Sequence, residues 1–139
     1  LVTLMIGTNN MHEDKKAYPP DKPEDIFAGI QAIVAEVRSR LPKSKIVVFS
    51  IFPRKAGPAY ERAKAVNSTL PQLADGKRVF HLDINSLFLS EKGLQNKSLF
   101  DKDLLHLNKQ GYLTWATAMK PLLKKHGLRV NPNALGQKD

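Results

Sequence analysis

The segment Lys45-Ile-Val-Val-Phe-Ser-Ile-Phe52 has the composition of a strand buried inside a sheet. Its residues are mainly β-branched and aromatic, and turn-forming residues flank it on both sides, which predicts a strand over 45–52. Residues 1–6 (LVTLMI) are apolar apart from one threonine, and residues 78–82 (RVFHL) follow a similar pattern. Continuous apolar runs of this length are typical of parallel strands that are covered on both faces.

Three helices are predicted between and after these strands. The first begins near Pro23, which is followed by two acidic residues, and its apolar residues recur at i, i+3 and i+4 as far as about Arg40. The others are expected over residues 60–73 and 109–126, and residues 86–107 are expected to be mostly loop. The order β-α-β-α-β-α predicts an α/β fold, a parallel sheet with helices on both faces. We expect one domain portion over residues 1–130 and an extended or mobile tail over 131–139.

The composition excludes several classes of protein. The chain has 139 residues, of which 42% are hydrophobic and 25% charged, as is usual for one globular domain. No apolar run reaches the roughly 18–20 residues that cross a bilayer, so no membrane span is expected. The net charge of +9 is spread as short basic pairs among acids, which argues against a nucleic-acid partner. Without cysteine there is no disulfide and no thiolate metal site.

Two groups of polar residues fall where a parallel sheet gathers functional groups, beyond the carboxyl ends of its strands. Asn9 follows the first strand, in the turn Gly7-Thr-Asn-Asn10, and the run Asp103-Leu-Leu-His106 precedes the last helix. Across a tight turn, the carboxylate of Asp103 can hold one nitrogen of His106 while the other nitrogen faces a substrate. This is the base half of a hydrolytic triad. The amide of Asn9 would donate to an oxyanion, a contribution of ~3–4 kcal/mol in comparable sites.

Each of these residues also has a purely structural interpretation. Asn9 could be a turn residue that tolerates left-handed geometry, and His106 could be a loop residue or a helix cap. Arg54, in the loop after the second strand, could reach the substrate or form a surface salt bridge.

The remaining candidates favour structural roles. Residues 12–14 (His-Glu-Asp) suggest a metal site, but the chain has no HExxH or His-x3-His spacing, so we expect no metal. His81 lies within a strand pattern, so a core or interface histidine is expected there. Trp115 and Met119 follow helical spacing and are expected in the core.

The two polar groups together resemble conserved blocks of the SGNH/GDSL hydrolases. Residues 6–10 (Ile-Gly-Thr-Asn-Asn) resemble the third block, Gly-x-Asn-Asp, with Asn10 in place of the aspartate. Residues 103–106, followed by Leu107, Gly111 and Tyr112, resemble the Asp-x-x-His block in the variant of the platelet-activating factor acetylhydrolase catalytic subunits. Three segments between the blocks, namely 52–54, the helix with Asn67, and 80–83, also resemble the family in order and spacing. The resemblance covers about residues 1–126.

The resemblance implies a flavodoxin-like three-layer α/β/α sandwich that hydrolyses short-chain, above all acetyl, esters through a serine, without metal or cofactor. In that scheme His106 is the base, Asp103 orients it, Asn9 is an oxyanion donor, and Gly7 lets the backbone approach. The leaving group stays open between an acetylated sugar and a phospholipid-like ester.

The serine itself is missing from the pattern. In the family it lies in a Gly-Asp-Ser block on an earlier strand-helix turn, and none of the seven serines here follows Gly-Asp. We therefore expect the chain to be a fragment, inactive alone, whose nucleophile lies in an N-terminal part of two βα units. The alternative is a non-catalytic binding or assembly module on the same fold.

The family's strand order also makes a prediction about residues 2–6. Without the two preceding βα units this strand would be an unpaired apolar edge, and such edges associate or aggregate. We expect it to pair with the N-terminal part or with a second copy of the chain.

Overall fold

The structure, a computed structural model, describes residues 1–11 and 21–126, and it has the predicted alternation of strands and helices. The main elements are β1 (Val2–Leu4), α1 (Pro23–Arg40), β2 (Ile46–Phe49), α2 (Pro58–Thr69), β3 (Val79–Leu82) and α3 (Lys109–Lys125). The predicted α/β class is confirmed. The residues 12–14 that suggested a metal site, and the predicted tail over 131–139, lie outside the described residues.

The three strands form one parallel sheet in the order β1-β2-β3. Val2 is opposite Ile46, and Ile46 is opposite Val79. Within the described part of the chain, β1 is hydrogen-bonded to a strand on one side only, so it lies at the edge of the sheet as expected. Its side chains Val2 and Leu4 are half-buried.

Alternate side chains of β2 enter two separate cores, as the two-residue period of a strand requires. Ile46 and Val48 pack with residues of α1 and α2. Val47 and Phe49 pack on the opposite face, with α3 and with the chain segments around Phe88 and Phe100. All four β2 residues are buried, which explains why the strand has no polar alternation. Helices thus cover both faces, in the three layers of an α/β/α sandwich.

The second helix differs from its predicted bounds of 60–73. It begins two residues earlier because Pro58 occupies its first turn, where a missing N–H costs no hydrogen bond. It ends at Thr69, and a 3-10 turn, Leu70–Leu73, follows. Pro71 accounts for this change, because proline has no N–H to donate to a carbonyl of the preceding helical turn.

The second strand is shorter than predicted because its exit is bonded to a side chain. The backbone N–H of Ile51 donates to Asn67 Oδ1, and Asn67 Nδ2 donates to the Ile51 carbonyl, both at 2.8 Å. The N–H of Ser50 still donates to the Leu82 carbonyl of β3 at 3.2 Å. At Ile51 the bonds to Asn67 replace pairing with a neighbouring strand, so the chain leaves the sheet there while Ile51 stays buried.

The segment between β3 and α3 contains only short 3-10 turns, Asn85–Phe88 and Lys97–Leu99. No helix among residues 1–11 and 21–126 is both long and apolar enough to cross a membrane.

Candidate active site

A cleft of about 740 Å³ opens at the carboxyl ends of β1 and β2. It lies between α1 on one side and the turn before α3 on the other. The segments that line it are residues 5–10, Asp21, one face of α1 from Asp25 to Ile33, residues 51–54, residues 105–107, Tyr112 and Trp115.

The wall after β1 depends on the glycine of the Gly-Thr-Asn-Asn turn. Gly7 has a φ of +103°, a conformation that side chains rarely adopt, and an added Cβ would lie 2.9 Å from the Ile51 Cδ1. The Gly7 carbonyl accepts a hydrogen bond from the N–H of Asn10 at 3.0 Å, which begins the 3-10 turn Thr8–Met11. Met11 is fully buried, and Asn9 is exposed at the lining of the cleft.

The opposite wall carries the Asp103/His106 pair. Asp103 Oδ2 lies 2.6 Å from His106 Nδ1, while Oδ1 accepts hydrogen bonds from the backbone N–H groups of Leu105 and His106 at 2.9 and 3.0 Å. The hydrogen bond from His106, together with these backbone donors, lowers the pKa of Asp103 to about 2. The carboxylate is therefore ionised near neutral pH, and it orients the ring so that Nε2 is the nitrogen left to face a substrate.

The turn between these residues is strained. Leu104 has a φ of 54°, in the left-handed region, which costs roughly 1–2 kcal/mol for a residue other than glycine. Its N–H donates to the Asp101 carbonyl at 2.9 Å, and its carbonyl accepts a 2.9 Å hydrogen bond from the Gln95 side chain. The hydrogen bonds on both sides of Leu104 hold it in this conformation.

The start of α3 fastens the same turn to the core. Asn108 caps the helix, since its Oδ1 accepts from the N–H of Gly111 at 3.0 Å, and its Nδ2 donates to the carbonyls of Ser98 and Phe100 at 2.8 and 3.1 Å. Phe100 and Leu107 also form an antiparallel bridge. The residue that follows His106 is thus bonded into the structure beneath the cleft.

The structure brings the predicted site residues together. Gly7, Asn9 and His106 line one cleft, and Asp103 supports His106 from outside it. Arg54 lies in the same lining. Trp115 packs edge-on against Phe49 and Phe52, as a core residue should, and its exposed part also lines the cleft.

Two polar residues that organise the site, the part-buried Asn67 and the buried Gln95, were given no role in the site from the sequence. Asn67 holds the exit of β2 through Ile51, and Gln95, only 7% exposed, bonds the loop after β2 to the turn at Leu104. The available signal was weak, because neither an amide in the helix α2 nor one in a largely polar loop shows in the sequence which distant groups it bonds.

None of the seven serines, all of which lie in the described part of the chain, lines this cleft. Ser50 is 1% exposed and its Oγ lies 3.0 Å from His81 Nε2. Burial lowers the pKa of His81, and it outweighs the negative charge of Asp83, which raises that pKa. A half-buried, hydrogen-bonded ring agrees with the core role expected for His81. Among the described residues no group of three His, Cys, Asp or Glu side chains is arranged to hold a metal.

The sequence model of the GDSL-like lipase/acylhydrolase family matches residues 1–113, which include both walls of the cleft. The chain belongs to this family. One relative, the platelet-activating factor acetylhydrolase IB subunit alpha2 of Rattus norvegicus, is 34% identical over 129 residues, covering 88% of this chain and 49% of the rat protein. The same subunit of Homo sapiens is 33% identical with the same coverage. The chain thus spans about half the length of these relatives.

Solved structures support the GDSL fold. A GDSL-like lipase from Bacteroides thetaiotaomicron superposes with a TM-score of 0.70 at 20% identity, covering 91% of this chain and 62% of that one. A carbohydrate esterase family 3 protein from Talaromyces cellulolyticus superposes with a TM-score of 0.69 at 21% identity, covering 90% and 57%. At these identities the likeness concerns the fold alone, and it confirms the predicted SGNH-type sandwich.

Proposed function

We propose that this chain supplies the base and the oxyanion donor of a serine ester hydrolase. The observation that carries the proposal is the 2.6 Å contact between His106 Nδ1 and Asp103 Oδ2 at a cleft that Asn9 also lines. Family membership supports it, because the GDSL-like family is one of lipases and acylhydrolases.

The proposed chemistry has two half-reactions, and in each of them His106 acts first as a base and then as an acid. His106 Nε2 takes the proton from a serine hydroxyl as the oxygen attacks the ester carbonyl, and Asp103 stabilises the imidazolium that forms. The Asn9 amide donates to the oxyanion of the tetrahedral intermediate. Because Gly7 has no side chain, the backbone there can come close to the substrate. His106 then protonates the leaving alcohol, which leaves an acyl-enzyme. In the second half, His106 takes a proton from a water molecule as the water oxygen attacks the acyl carbonyl. His106 then returns this proton to the serine oxygen as the bond between the serine and the acyl group breaks and the acid is released.

We further propose that the serine belongs to a part of the protein outside this chain, and that residues 1–130 are one portion of a single hydrolase domain. The open edge of β1 supports this, because a parallel strand paired there would end beside the cleft. The absence of a serine from the cleft lining formed by the described residues agrees with it. Pairing of this edge with a second copy is the alternative.

The proposed substrates are short-chain esters, above all acetyl esters. The rat and human relatives are acetylhydrolases by name, and this supports an acetyl group. The cleft has both apolar lining, from Ile30 and Trp115, and polar lining, from Asn10 and Arg54. An acetylated sugar and a phospholipid-like ester therefore both remain candidates for the leaving group.

The decisive experiment is hydrolysis of p-nitrophenyl acetate by the complete protein and by His106→Ala. The variant should lose at least about a thousandfold in kcat, because triad members act as a unit. His126→Ala is the matched control, since His126 lies at the end of α3 and does not line the cleft. Asn9→Ala should lower kcat by about 10²–10³. Equal rates for the wild type and His106→Ala would contradict the assignment.

A fluorophosphonate, which labels activated serines covalently, locates the nucleophile. Peptide mapping of the labelled complete protein should place the label outside residues 1–139, and His106→Ala should abolish labelling. A label on any of the seven serines of this chain would contradict the proposed location. A folded complete protein that neither hydrolyses esters nor takes the label would instead favour the binding or assembly module.

A further inference from the structure

We propose that the side-chain amide of Gln95 is a positioning group for the active site: it holds the turn that carries His106 against the loop that follows β2. The inference rests on the proposed function only for its effect on activity. The contacts themselves are independent of it.

One nitrogen makes both contacts. Gln95 Nε2 donates to the carbonyl of Pro53 and to the carbonyl of Leu104, each at 2.9 Å. Pro53 precedes Arg54 in the cleft lining, and Leu104 lies between Asp103 and His106. A single amide therefore joins two segments on the cleft that no backbone hydrogen bond of the described residues joins directly.

The chemistry of the two partners requires a group with two hydrogen-bond donors at this position. Both are carbonyl oxygens, which only accept, so the group between them must present two N–H bonds and no lone pair. The reverse orientation of the amide would place its oxygen 2.9 Å from two other oxygens. A carboxylate there would meet the same repulsion.

The backbone around Gln95 is arranged to turn this side chain inward. Gln95 forms an antiparallel bridge with Leu89, and the N–H of Ser90 donates to the Leu94 carbonyl at 2.7 Å, which closes a short hairpin. Leu94 is exposed at 49%, whereas Gln95 is 7% exposed. A polar side chain buried next to an exposed leucine inverts the usual preference, which indicates a specific role for the amide.

The consequence concerns the left-handed Leu104. Its carbonyl direction is set by that backbone conformation, and the same conformation lets Asp103 Oδ1 reach the N–H groups of Leu105 and His106. Loss of the Gln95 hydrogen bond frees the Leu104 peptide to rotate, and this displaces the His106 ring relative to Asn9 across the cleft. Displacements of about 1 Å lower rates by about a hundredfold in other sites.

The test compares two replacements of Gln95 in the complete protein. Gln95→Met keeps the length and loses both donors, and it should lower kcat at least about tenfold at all pH values, with KM for p-nitrophenyl acetate changed by less than about threefold. Gln95→Glu can donate one hydrogen bond while protonated and none when ionised. Its kcat relative to the wild type should therefore fall as the pH rises from about 5 to about 8.

Gln72→Glu is the matched control for the added charge, because Gln72 is exposed and does not line the cleft. Its kcat ratio to the wild type should stay near one at every pH. If Gln95→Glu does not fold, Gln95→Met decides alone. Wild-type kcat in Gln95→Met, or a loss confined to KM, would overturn the proposal.

A spectroscopic readout separates this inference from the catalytic one. The downfield proton resonance of the His106 Nδ1–H bonded to Asp103 should broaden or shift in Gln95→Met and stay unchanged in Gln72→Glu. If the wild type hydrolyses no ester, the proposed function fails while this resonance still tests Gln95. A lower kcat with an unchanged resonance would show that Gln95 acts elsewhere and would overturn its role in positioning His106.

Discussion

Replacement of Gly111 by alanine tests how closely α3 approaches the segment beneath the active site. A Cβ at Gly111 would lie 2.1 Å from the backbone carbonyl oxygen of Leu99, and 3.0 and 3.1 Å from two carbons of Leu107. Ordinary contact begins at 3.4 Å, so the oxygen and the helix must separate by about 1.3 Å. A backbone carbonyl cannot move aside as a flexible side chain does.

The expected loss of stability combines opposing effects. Overpacking costs about 1–3 kcal/mol. The displacement also weakens the Asn108 N–H bond to the Leu99 carbonyl and the Asn108 cap on Gly111, at about 1 kcal/mol each. Alanine offsets about 1 kcal/mol through its higher helix propensity. The net loss in the free energy of unfolding is about 2–4 kcal/mol, which lowers Tm by roughly 5–15 °C in a domain of about 150–250 residues.

Thermal and urea unfolding of the complete protein measure this loss, with Thr117→Ala as the control. Thr117 is exposed on the same helix, so alanine there should be neutral or stabilising by about half a kcal/mol. Gly111→Ala should also lower kcat, because the new Cβ meets Leu107, and a shift of Leu107 moves the adjacent His106. A Gly111→Ala protein as stable as Thr117→Ala would refute the close approach of α3 to Leu99.

Three further substitutions test individual interactions that stabilise the fold. Gly7→Ala should destabilise the protein by about 1–3 kcal/mol in urea unfolding, since its Cβ meets Ile51 and its φ of +103° disfavours any side chain; stability equal to wild type would contradict this geometry. Asn67→Ala leaves the buried N–H of Ile51 without its partner, so urea unfolding should show a loss of about 1–3 kcal/mol in the free energy of unfolding. An unchanged urea midpoint would contradict a stabilising role for the hydrogen bonds between Asn67 and Ile51. Backbone N–H donors, that of Val79 foremost, hold the pKa of Asp75 well below its ordinary 3.8, so its stabilisation is complete above that value and is lost as the pH falls below it. Asp75→Asn should therefore lower the urea midpoint at pH 7 and flatten its decline in acid, and a decline as steep as in the wild type would argue against this carboxylate.

Much of the fold could be predicted because its signals are local. The apolar run around β2 indicated a strand with both faces covered, and the bounds of α1 followed from Pro23 and the apolar spacing up to Arg40. The Asp-x-x-His turn was also predictable, since a carboxylate two and three residues before a pair of backbone N–H groups accepts from both.

Sequence alone thus determined the α/β class and the family, and it predicted Asn9, Asp103 and His106 as site residues, because periodicity, turn chemistry and short motifs depend on neighbours along the chain. Only the tertiary structure decided that Asn9 and His106, nearly a hundred residues apart, line one cleft, and that the serines do not. It also decided that Gln95 is buried, bonded to Pro53 and Leu104 at 2.9 Å. Burial and the pairing of distant donors with acceptors depend on how separate elements pack, and no local pattern records that packing.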